Sequence, residues 1–326
     1  MPPLYMPVKV VNGKTSGPTV LLFATMREDE FNGMEILKRV LDLSLLDRLR
    51  GTLLVVPVLN VFGMLNRSAA LPDGQTLDAA FPGNAEGNYT QRTAHLFTDT
   101  LFSLADVCVE LCSGGMNHNF LPHVYGDFSM EENRELAGAF PVSVAVDIEP
   151  RPGSLSAHAK ELDKPMLTFL AGEAMRFNPH AIRLGHRGIL GLLRRLKMLP
   201  PKEAKEGGEP SKQNEPVIAQ SSDWVHATKS GIAHPQKNLG DRVKEGDTLA
   251  VISEPLGSFQ EVKVFSPCDG VIVGANDMPL VFEGDQLFRI ATFEELDTAA
   301  NLLQDWSRAE LPSSTGETDP AANPAG

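Results

Sequence analysis

The chain has 326 residues, 42% of them apolar and 22% charged, which suits a globular protein with room for two domains. Its formal net charge of −13 at pH 7 argues against a nucleic-acid-binding surface and against docking on an anionic membrane. No signal-like opening and no run of about 18 apolar residues occurs, so a cytoplasmic protein is expected; the three cysteines, Cys108, Cys112 and Cys268, make no disulfide framework and fit a reducing compartment.

In chain order, residues 6–11 and 20–25 read as strands separated by the turn dipeptide Asn12-Gly13. A helix is predicted over 30–49, then a strand over 52–60, whose near-continuous apolar run suits burial on both faces. Residues 61–90 are rich in Gly, Pro, Asn and Asp and read as a long irregular, functional loop. A helix over 90–104, strands over 106–112, 142–148 and 165–170, and a helix over 178–196 complete an alternation that implies an α/β sheet covered by helices. Residues 200–216 lack apolar periodicity and read as a linker or mobile loop. Short strands with evenly spaced turns over 217–292 predict a small all-β barrel or sandwich. Residues 293–311 carry a stripe of Leu296, Ala299, Ala300, Leu303 and Trp306 that suits a helix docked on its own domain or on a partner, and 312–326 read as a disordered tail.

Chemistry is expected in the loop from Arg27 to Gly33, because it joins a buried strand to a helix, where open α/β sheets place their sites. Arg27 and Glu30, three apart at a helix start, point to one side; the same residues also suit a solvated first helical turn. Cys108 reads as a core thiol, too far along its strand from Cys112 to share an ion with it, and His118 and His123 read as loop residues with a hydrogen-bonding role.

Four segments together resemble the succinylglutamate desuccinylase/aspartoacylase family of zinc carboxypeptidase-like hydrolases. Thr25-Met26-Arg27-Glu28-Asp29-Glu30-Phe31-Asn32-Gly33 matches its G-x-H-G-D-E-x-N-G motif except at the histidine. The stretch from Leu65 to Gly83 keeps the frame of a second motif, including Pro72-Asp73-Gly74 and Phe81-Pro82-Gly83. Glu110-Leu111-Cys112-Ser113-Gly114 with Pro122-His123, and Leu167-Thr168-Phe169-Leu170-Ala171-Gly172 with Arg176-Phe177-Asn178-Pro179, match the third and fourth. The resemblance covers about residues 8–292 and implies a carboxypeptidase-like mixed sheet flanked by helices over 1–199, with a β-barrel after it. That barrel is similar to biotinyl/lipoyl-type domains, yet Gly274 to Met278 offers no lysine for attachment.

The family's activity implies zinc held by two histidines and a glutamate, with one position open for water. The corresponding positions here are Arg27, Glu30 and Cys112. Arginine offers no lone pair, so the expectation is that no cofactor is bound. The family's catalytic glutamate falls at Leu170, with Glu173 three positions on as a displaced substitute. The pair that clamps the substrate carboxylate falls at Asp78 and Ala79, and Arg67, His123 and Arg176 complete the expected substrate pocket. The reading that follows is a catalytically degraded member, a non-hydrolytic binding or partner subunit, with an active paralogue, another protein subunit or a small molecule as its counterpart. The alternatives are a hydrolase of amide or ester bonds in N-acyl amino acid-like substrates with an altered metal site, one using Cys112 as nucleophile, and a sensor that keeps the pocket without chemistry.

Overall fold

The computed structural model describes residues 4–115, 117–201, 215–254 and 260–294, together with 296, 297, 301 and 303. The N-terminal part runs β1 (Lys9–Asn12), β2 (Thr15–Ala24), α1 (Phe31–Leu41), β3 (Arg50–Val56), α2 (Val61–Asn66), α3 (Tyr89–Phe97), β4 (Val107–Cys112), β5 (His118–Gly126), α4 (Glu131–Ala137), β6 (Val144–Asp147), α5 (Leu155–Glu161), β7 (Met166–Glu173) and α6 (Pro179–Arg195). The strand order is β1-β3-β2-β4-β7-β5, with β3, β2, β4 and β7 parallel and β1 and β5 antiparallel to their neighbours.

The parallel strands read as apolar runs because helices cover both faces; Val20, Leu21, Leu22 and Phe23 are all fully buried. On one face α1 and α6 pack together, with Ile36, Leu37, Ile182 and Ile189 in a shared core. Phe97 of α3 and Leu155 of α5 close the other. The predicted helix over 30–49 ends at Leu41, because Leu43 turns extended and Ser44–Arg48 winds separately as a 3-10 turn. Within the segment expected to be irregular, Asn60 accepts the Gly63 N–H at 2.7 Å and caps α2.

The C-terminal part comprises β8 (Val217–Ala219), β9 (Ser221–His226), β10 (Gly231–Pro235), β11 (Arg242–Val243), β12 (Thr248–Ser253), β13 (Val262–Phe265), β14 (Gly270–Asn276), β15 (Leu280–Val281) and β16 (Gln286–Thr292). A four-stranded sheet, β13-β12-β10-β15, shares a core of Leu249, Ile252, Ile272 and Phe288 with β14 and β16. The large sheet does not stop at β5. Gly274 to Asn276 of β14 pair with Phe120 to His118, and β16 and β9 follow; on the other half of β5, β6 pairs in parallel and carries β8.

His118 and His123, read from sequence as loop residues, belong to β5, where Pro122 and the two histidines obscure a strand whose Phe120, Leu121, Val124 and Tyr125 are buried. Residues 202–214 of the expected linker, most of the 293–311 helix and the tail lie outside the described residues. Leu303, 3% exposed, packs with Leu296 and Phe293 into a core containing Tyr125 and Val144, so this part of the stripe docks on its own chain. Among the described residues no helix is long and apolar enough to cross a membrane.

Candidate functional site

The loop after β2 is held by a network of backbone contacts. Thr25 takes a left-handed conformation, and its hydroxyl lies 3.1 Å from the carbonyls of Glu30 and Pro57. Asn32, 1% exposed, is the hub: its Nδ2 donates to the Ala171 carbonyl at 3.4 Å and its Oδ1 accepts the Asn178 N–H at 2.8 Å, joining this loop to the end of β7 and the start of α6. Gly33 permits the approach of α1 to β4, since a Cβ there would stand 2.3 Å from the Leu111 carbonyl oxygen.

These contacts place Arg27 and Glu30 at a cavity of about 270 Å³ whose walls also include Asp78, Glu110, Tyr125, Glu149, Arg151 and Thr168. Glu30, 4% exposed, accepts the Arg27 backbone N–H at 3.2 Å. The Arg27 side chain lies alongside Gly115, where a Cβ would come within 2.9 Å of Nε, and pairs with Asp29 at 3.6 Å. Glu110 and Cys112 alternate along β4 and share one face. The Cys112 thiol neighbours the carboxyls of both Glu30 and Glu110, while Thr168 Oγ1 donates to Glu110 Oε2 at 3.0 Å.

Burial raises the pKa of Glu30 well above the usual carboxylate range, reinforced by the neighbouring Glu110, and raises that of Glu110 as well. Burial, with the two carboxyls, pushes the Cys112 thiol well above its ordinary value, which opposes its use as a nucleophile. Cys108 is a fully buried core thiol, pushed up to about 12 by desolvation.

The remaining expected residues lie off this cavity. Leu170 is 8% exposed and packs with Phe120 and Tyr125. Glu173, at the end of β7, pairs with the largely exposed Arg176 at 3.7 Å. His123 is fully buried, with Nδ1 2.5 Å from the Leu121 carbonyl oxygen. Arg67 is exposed in a left-handed position that ends α2, and the Ala79 carbonyl packs against Gly153. Sequence reasoning did not single out Glu110, although its spacing from Cys112 put both on one strand face. Arg151, which approaches Asp78 at 4.0 Å, comes from a loop whose course no local pattern announces.

The catalytic domain of succinylglutamate desuccinylase/aspartoacylase matches residues 16–196. The chain belongs to the succinylglutamate desuccinylase/aspartoacylase family. Among curated relatives, it is 25% identical over 304 residues to N-alpha-acetyl-L-2,4-diaminobutyric acid deacetylase of Halomonas elongata, covering 89% of this chain and 86% of that one. The fold is shared with a succinylglutamate desuccinylase/aspartoacylase of Rhodobacter sphaeroides (TM-score 0.77, 22% identity, 88% of this chain and 89% of that one). It is shared also with the product-bound ectoine utilization protein EutE (DoeB) of Ruegeria pomeroyi (TM-score 0.78, 22% identity, 88% and 89%).

Membership corrects the expectation that no cofactor belongs here: relatives that are deacylases of a zinc-dependent family point to zinc rather than to none. At the positions that the sequence resemblance aligns with the family's ligands, Glu30 and Cys112 are the potential donors, with Glu110 beside the same thiol. Arg27 holds no cation, and among the described residues no group of three His, Cys, Asp or Glu side chains is placed to hold a metal ion. The arrangement therefore does not fit the family's three-ligand site.

Proposed function

We propose that this chain is a ligand-binding member of the family that does not perform its acyl hydrolysis, acting in the cytoplasm as a binding or partner subunit. The observation that carries this reading is Leu170. A positioned general base contributes about 10²- to 10⁴-fold to such reactions, and a buried leucine accepts no proton. Glu173, engaged with Arg176 and absent from the cavity wall, does not stand in for it.

The cavity's charge supports a class of ligand. Asp78 and Glu149 face it with the buried acids Glu30 and Glu110 against the guanidiniums of Arg27 and Arg151. A cationic amine would offset the burial that raises the pKa of the two acids, favouring their ionised form, whereas the acidic N-acyl amino acids that an arginine clamp would grip would be repelled. The name of the Halomonas relative gives a substrate of this class, an acylated diamino acid. The same full-length similarity favours a second reading, hydrolysis of such a substrate through a rebuilt metal site.

The test is to supply zinc and N-acetyl-2,4-diaminobutyrate and to follow both binding and acetate release. The first reading expects binding with acetate release at least about 10²-fold below that of the Halomonas enzyme, matching the missing base. Release at the relative's own rate would establish the second reading instead.

A further inference from the structure

A second and larger cleft, of about 710 Å³, lies at the opposite end of the parallel strands. Arg50, the first residue of β3, and Arg48 stand on one side of it; Arg194 and Arg195, the last residues of α6, and Lys197 stand on the other. The seven residues of β3 separate this cleft from the candidate site by about 20 Å at ordinary strand rise.

The cleft is a built feature. The Arg50 N–H donates to the Met198 carbonyl at 2.9 Å, and the Met198 N–H to that of Leu193 at 2.8 Å, so the start of β3 and the end of α6 are fixed to each other. Gly138, Ala139 and Gly191 line it without bulky side chains, and Arg195 Nη1 lies 3.6 Å from where a Gly138 Cβ would stand. Glu215 stands nearby, its Cγ 3.8 Å from the same point.

Among the described residues, five cations and no carboxylate line this cleft, with Glu215 beside it, in a chain of net charge −13. None of the five forms an ion pair among the described residues, and Arg194 Nε is shielded from solvent without a hydrogen-bond partner there. Two basic residues in the last turn of α6 are accounted for by the helix dipole. The convergence of Arg48, Arg50 and Lys197 from other segments is not.

We propose that this cleft binds a small polyanion bearing two or more phosphates. Four of the five cations are arginines, whose planar forks take phosphate oxygens two at a time. The volume falls within the roughly 300 to 1,000 Å³ typical of small-molecule sites, and the acidity of the whole chain disfavours a long nucleic acid. The site is separate from the amine-binding cavity and does not depend on the reading given for it.

The test is calorimetric titration of the full chain with tripolyphosphate and with ATP at low salt, citrate serving as a polycarboxylate control. Tripolyphosphate binding that weakens steeply with added salt, and at least tenfold in an Arg50→Gln, Arg194→Gln variant, is expected. The melting temperature of the ligand-free variant should match or exceed the parent's, since substitution relieves like-charge repulsion, and this separates loss of binding from loss of fold. Absent binding at low salt, binding indifferent to the two substitutions, or citrate binding as tightly as tripolyphosphate would overturn the proposal.

Discussion

Cys112 and Leu170 stand beside each other in the parallel register of β4 and β7, two residue pairs beyond Glu110 and Thr168. The two positions that the sequence resemblance aligns with a metal ligand and a base are thus immediate neighbours on adjacent strands. An Arg27→His, Cys112→His, Leu170→Glu variant is therefore expected to bind zinc at least about 10- to 100-fold more tightly than the parent, the range that even indirect support of a ligand commands. Competition with a chromogenic chelator reads this out, and equal affinities would contradict the assignment of these positions.

His123 makes a prediction about acid. Burial lowers its pKa to about 4, while the unfolded chain keeps it near 6.5. As pH falls, the unfolded state gains a proton before the folded state does. The contribution to stability is therefore whole above about pH 6.5, declines towards pH 4 and is worth up to about 3 kcal/mol. Urea unfolding at pH 7 and pH 4.5 should show His123→Leu losing less stability than the parent over that interval; parallel losses would exclude a neutral buried imidazole.

Gly33→Ala would place a methyl group 2.3 Å from the Leu111 carbonyl oxygen and 2.8 Å from Ala24 Cβ. Either α1 moves away from the sheet or the strands shift, at a cost of about 1 to 3 kcal/mol. A drop in melting temperature is expected, together with weaker ligand binding, because Glu30 immediately precedes α1.

Asp73 anchors the long loop to α3 through Thr90, accepting the backbone N–H at 2.8 Å and the hydroxyl at 2.5 Å. Asp73→Ala should cost about 1 kcal/mol in urea unfolding. Faster amide exchange confined to residues 67–88 would accompany it, and unchanged exchange there would show that the anchor is dispensable.

Much of the parallel sheet was legible because strands covered on both faces must be apolar, as residues 20–23 and 53–56 are. The loop at the end of β2 was legible for the same reason, since its charged residues interrupt that pattern. Strand β5 was hidden by His118, Pro122 and His123, whose burial is decided by partners far along the chain. The short helices α4 and α5 span too few turns to show a period. Of the site, Glu30 and Asp78 were foreseen, whereas Glu149 and Arg151 reach the cavity only through the tertiary course of the segment after β6.

The two-sided pairing of β5 makes the C-terminal half indispensable to the N-terminal half. β14 and β6 occupy successive stretches of the same strand edge, and β8 in turn covers β6. A chain cut after residue 200 would keep β5 paired with β7 but would bare the edge of its first half that β14 covers and the outer edge of β6, templates on which copies of the fragment would stack. Excision of the catalytic-type half is thus a route to aggregates rather than to a smaller working protein, and the whole chain should melt in a single transition.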